Sequence, residues 1–156
     1  MTSLLRCCLA ALLAAGLAAC GKQDHRHAAP DGHGHTAPHG GILVEIGEHA
    51  YNLELVRDAA AGKLTVYVLD GHAENFIRLK AASIDLTATV GAEKHPLTLK
   101  AVASSSTGET VGDTSQFEAQ AEWLRTGASF EVVVTALEIR GTRFEKVAFR
   151  FPSSTK

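Results

Sequence analysis

Beyond residue 38 the apolar residues recur mostly at every second position. Tyr51, Leu53 and Leu55 alternate with Asn52 and Glu54; Leu64, Val66 and Val68 form a second run; Ile84, Leu86, Ala88 and Val90 alternate with Asp85, Thr87 and Thr89. Side chains of an extended chain point to opposite faces in turn, so each run can bury one face and leave the other in water. On this reading Glu54 and Asp85 both belong to a wet sheet face. Residues 42–46, 96–102, 116–123, 129–139 and 144–151 read as further strands, which makes eight. Short strands at this spacing predict an all-β, antiparallel sandwich of seven to eight strands.

The intervening residues support strand-to-strand turns. Ala60-Ala61-Gly62-Lys63 and Gly91-Ala92-Glu93-Lys94 each place a glycine between two alternating runs, and Arg140-Gly141-Thr142 is short enough for a tight hairpin. The polar, glycine-containing stretch 104–115 reads as the longest mobile loop. No helix of three turns is expected, although residues 119–124 (AQAEWL) also suit a helix.

The first 38 residues are of another kind. Arg6 precedes an apolar run from Cys7 to Ala19 that ends in small residues, the pattern of an export signal. Thirteen apolar residues are too few to cross a bilayer core, which takes about 20. Leu17-Ala18-Ala19-Cys20 closely resembles the bacterial lipobox. That resemblance implies cleavage before Cys20, acylation of its thiol and of the new amino terminus, and a membrane held through the lipid; two or more chains make a stable anchor. Gly21 follows Cys20 where related lipoproteins retained in the inner membrane carry Asp, which favours the outer membrane. Cys7 and Cys8 leave with the signal, so no thiol remains for a disulfide, a thiolate metal site or a nucleophile.

Residues 21–38 contain no Val, Ile, Leu or aromatic residue and are rich in Gly, Pro, Ala and His. Such a segment cannot offset the entropy of ordering by burial and is expected to be a disordered tether. The chain therefore divides into a signal (1–19), a lipid-anchored tether (20–38), a folded domain (39–152) and a short tail (153–156). The net charge of −2 becomes about −3 once Arg6 is removed. With no basic patch, nucleic acid is not expected as a partner.

Histidine is the candidate chemistry. His25, His27, His33, His35 and His39 lie within fifteen residues, while His49, His72 and His95 are scattered through the rest. Imidazole has an ordinary pKa near 6.5, so around neutral pH its free nitrogen can ligate a metal. Two His-x-His pairs, His25 with His27 and His33 with His35, can converge on one ion, and Gly32 and Gly34 ease the wrapping. Nitrogen donors without sulfur favour Cu(II), Ni(II) or Zn(II), with Cu(II) bound tightest. The alternative is a solvated linker whose histidines bind nothing. His49, close to Glu45 and Glu48, would join His39 if Gly47 turns the first hairpin; His72, in a turn, and His95 are expected to be solvated. No nucleophile elbow, His-Glu-x-x-His pair or phosphate loop is present, so neither an enzyme nor an organic cofactor is expected.

Pro38-His39-Gly40-Gly41, followed by an apolar run, Gly47 and the run 51–55, resembles the start of the small amino-terminal domain of heavy-metal efflux adaptors, the periplasmic membrane-fusion subunits of RND-type pumps. The likeness extends loosely over residues 38–151, and its strongest part is His39-Gly40-Gly41. It implies an immunoglobulin-like sandwich associated with divalent or copper ions. The helical hairpin, lipoyl-like domain and barrel of an adaptor have no counterpart here, so the resemblance does not imply an adaptor. The function expected is metal buffering or handover by a lipid-anchored, periplasm-facing protein, with His25, His27, His33, His35, His39 and His49 as ligands and an efflux component as possible partner. The alternative is an envelope protein-interaction module, and a small hydrolase is a third reading.

Overall fold

The structure, a computed structural model, describes residues 35–152. The described part is all-β. Eight antiparallel strands, β1 (Ile42–Ile46), β2 (Tyr51–Asp58), β3 (Lys63–Asp70), β4 (Ser83–Val90), β5 (Glu93–Ala101), β6 (Gln116–Gln120), β7 (Phe130–Ile139) and β8 (Thr142–Phe151), are joined by one short helix, α1 (Trp123–Thr126). Hydrogen bonds run through a single sheet in the order β1-β2-β3-β6-β5-β4-β7-β8. The half β1-β2-β3-β6 meets the half β5-β4-β7-β8 along a seam of two residue pairs, Lys100 with Glu118 and Ala101 with Phe117. The sheet curls until its outer strands approach: Phe144 of β8 packs edge-on to Tyr51 at the start of β2, with ring centroids 6.0 Å apart. The expected strand content and antiparallel pairing are present, arranged as a sheet nearly closed on itself.

The alternation selects the inward face. Leu53 and Leu55, Leu64, Val66 and Val68, Ile84 and Leu86, Leu97 and Leu99, and Val132 and Val134 are all buried in one cluster with Phe117, Leu124 and Phe130. Full burial of each such side chain contributes about 1.5–3 kcal/mol. Where strand bounds differ from the pattern, the causes are local. β5 begins at Glu93, ahead of Pro96, and Pro96 pairs only with Thr87 of β4. Proline lacks an N–H and is tolerated where a strand has a neighbour on one side only. β6 ends at Gln120 because residues 123–126 coil into α1, whose Leu124 and Arg125 carbonyls accept hydrogen bonds from the Arg57 guanidinium at 2.6 and 3.2 Å.

The hairpins form where expected. Ile139 pairs with Thr142 across Arg140 and Gly141, both at positive φ (50° and 83°), the conformation of a turn that matches strand twist. The stretch 104–115 carries bonds of its own: Ser104 and Glu109 exchange backbone hydrogen bonds, as do Thr110 and Asp113. The Glu109 carboxylate accepts from the Ser115 amide and hydroxyl at 2.9 and 2.7 Å. Burial pushes the Glu109 carboxyl up, but the hydrogen bonds from Ser115 and Thr107 and the charge of Arg78 hold it below the usual range.

Candidate functional site

Glu54 lies on the outward face of β2, the face the alternation assigns to water. It is nonetheless fully buried, as is its neighbour on that face, Asn52. This corrects the expectation of a wet Glu54, and the cause is the segment ahead of β1. Residues 35–41 cross the outside of the sheet as a strap, and three of its donors converge on the one carboxylate. The His39 and Gly41 amides donate to Oε1 at 2.7 and 3.0 Å, and His39 Nδ1 lies 2.9 Å from Oε2. A buried carboxylate without such partners would cost several kcal/mol, so strap and carboxylate depend on each other.

The two glycines of the motif have separate tasks. Gly40 turns the strap at φ 71°, with its amide donating to the Ala37 carbonyl at 3.1 Å. Gly41 passes directly over β2: a Cβ there would sit 2.4 Å from the Leu55 carbonyl oxygen. Glycine is thus required at 40 by conformation and at 41 by space.

Above Glu54 the His39 ring stacks on Tyr67, with centroids 3.8 Å apart and planes 10° apart, and Phe76 leans against both. Tyr67 is the β3 residue opposite Glu54. Burial, reinforced by the Glu118 and Glu54 carboxylates, raises its phenol above the ordinary value. Burial also pushes the Glu118 carboxyl up, but hydrogen bonds from Lys63, Gln116 and Thr65 outweigh this and hold it low. Because Glu54 accepts at Nδ1, that nitrogen carries the hydrogen in the neutral His39 ring and Nε2 keeps its lone pair. A carboxylate behind one ring nitrogen is also how proteins orient histidines that bind metal through the other.

Cys20, His25, His27 and His33 lie outside the described residues. His35 reaches the turn after β3, where its ring meets that of His72 edge-on with centroids 5.5 Å apart and planes at 75°. Asn52 holds that turn from below, its side-chain amide donating to the Asp70 and Gly71 carbonyls at 3.0 Å each. His49 is not brought to His39. It sits at the β1–β2 tip, 76 % exposed, with Nδ1 2.8 Å from Glu45, while His39 is clamped on Glu54, which pairs with Leu43 about 10 Å back along the strands. His95 stacks on Trp123 instead of standing free in solvent. Among the described residues no group of three or more His, Cys, Asp or Glu side chains is gathered closely enough to hold an ion.

Sequence reasoning missed two residues of this region, Glu54 and His72. For Glu54 a signal existed: pairing β1 with β2 through the tip at Gly47 sets Glu54 opposite Leu43, close to the His39-Gly40-Gly41 motif that leads into β1. For His72 none did, because its neighbour belongs to a segment without pattern. No family model matches the chain, and neither the curated proteins nor the solved structures yield a match.

Proposed function

We propose that this chain is a lipid-anchored protein facing the periplasm that binds Cu(II), and more weakly Ni(II) or Zn(II), and buffers or hands on these ions near a heavy-metal efflux system. The observation that carries the reading is the run of five histidines between His25 and His39, ending in a ring whose Nδ1 is turned to a buried carboxylate. That orientation leaves a donor nitrogen at the boundary between the histidine-rich segment and the sheet. His25, His27 and His33 would supply further donors, and Cys20 the lipid attachment.

Titration calorimetry of the full chain with each metal tests the reading. Binding is expected to strengthen in the order Zn(II) or Ni(II), then Cu(II), and to weaken on acidification as protons compete for the imidazoles. Deleting residues 22–38 should remove most of the capacity while the β signal in circular dichroism persists. Mass spectrometry of membrane-extracted protein should find acyl chains on Cys20. A second reading, an envelope interaction module, is favoured by Phe76, which is 47 % exposed beside Tyr67 and His39. If the full chain binds none of the three metals, that reading replaces the first.

A further inference from the structure

His35 belongs to the segment ahead of the sheet and His72 to the turn after β3, thirty-seven residues on, yet their rings lie edge-on, with centroids 5.5 Å apart. Two imidazoles bound to one ion have metal–nitrogen distances near 2.0–2.1 Å, which puts each ring centroid about 3.2 Å from the ion. At a tetrahedral angle the two centroids then stand about 5.2 Å apart, within a few tenths of an ångström of the separation observed. The 75° between the planes keeps the rings from stacking face to face.

Both sides of this pair are held in place. His35 precedes the point where the strap is tied down by the His39 and Gly41 amides on Glu54, and Ala37, two residues after it, accepts from the Gly40 amide. His72 sits in a turn fixed from below by Asn52 and from within by Asp70. The Asp70 carboxylate accepts from the Glu74 amide at 3.0 Å and the Asn75 side chain at 2.6 Å. The Asp70 carboxylate, held by these bonds, stands at the base of the turn. A cation arriving there meets two donors already close and an anion behind them, so little ordering entropy remains to be lost.

We propose that His35 and His72 form a two-imidazole seat for a divalent transition metal, Cu(II) or Zn(II), which fastens the strap to the β3 turn. The seat rests on the metal-binding reading above and deepens it: His72, a residue of the folded domain, shares the ion with the histidine-rich segment. A bound ion bridges two segments distant in sequence, so it also stabilises the folded state by mass action.

The test compares the full chain with its His72→Ala and His49→Ala variants. His72 and His49 are exposed and neither side chain supports the core, so both variants should keep the parent's circular dichroism. With Zn(II), the ring resonances of His35 and His72 should shift together in histidine-selective NMR. His72→Ala should weaken the tightest site about tenfold, because the second contact of a chelating pair is intramolecular. The same variant should lose most of the rise in melting temperature that Zn(II) gives the parent, whereas His49→Ala should retain both. If the parent binds metal but His72→Ala matches it in affinity and melting shift, the seat is overturned and the segment 22–38 binds alone. If the parent binds no metal, both the seat and the function proposed above fall.

Discussion

β2 and β4 are written in the same pattern and end in different surroundings. In β2, Leu53 and Leu55 alternate with Asn52 and Glu54; in β4, Ile84 and Leu86 alternate with Asp85 and Thr87. The apolar members of both face the core. The outward members part company: Asp85 is exposed and accepts from the Thr98 hydroxyl at 2.7 Å, while Asn52 and Glu54 are sealed under the strap and the β3 turn. Alternation therefore reports which residues look inward and is silent on what covers the other side. A polar residue that is outward and buried marks a place where a second segment has docked.

The sharpest way to break the comparison is to neutralise both acids. Glu54→Gln puts an amide N–H₂ among donors that need an acceptor, inside a dry site, and should destabilise the domain by about 3 kcal/mol. Asp85→Asn, on the open face, should change stability by less than about 0.5 kcal/mol. Urea unfolding of the two variants measures both, and equal costs would mean that the strap shields nothing.

A smaller effect separates the two glycines. Gly41→Ala drives a methyl group into the Leu55 carbonyl and should lift the strap at about 2 kcal/mol, the scale of overpacking. Gly40→Ala meets no atom and suffers only the left-handed backbone, about 1 kcal/mol. Amide hydrogen exchange should show the β2 face opened in the first variant and closed in the second.

The smallest effect is the response to acid on the outward face of the β3–β6 pair and in the 104–115 loop. Glu118 and Glu109 have carboxyls held below their ordinary 4.5 in the folded chain. Their contribution is thus complete above pH 4.5 and is lost as pH falls through the lower folded values. Stability measured between pH 5 and 7 should be nearly flat with respect to these two groups and should decline only below 4.5. Glu118→Gln and Glu109→Gln should each flatten that acid limb.

Much of the sheet could be read in advance, because one-sided burial fixes period and register together. The bounds of β1 and the Arg140–Gly141 turn emerge directly from where alternation stops and glycine appears. The expected strand over residues 116–123 is too long, since no periodicity distinguishes a strand end from a single helical turn held by Arg57. His39 was singled out through its glycines, but its partner was not, because a contact between a strap and a strand face leaves no local pattern. His72 shows the same limit: the pairing with His35 is made by tertiary placement of two segments that carry no periodicity of their own.

The near-closure of the sheet has one more consequence. An open eight-stranded sheet ends in two rows of unpaired amides and carbonyls, and such rows recruit strands from other chains. Here β1 and β8 are turned toward each other, with Phe144 lying over Gly47 and edge-on to Tyr51, so each terminal strand occupies the approach to the other. That arrangement opposes edge-to-edge aggregation between molecules.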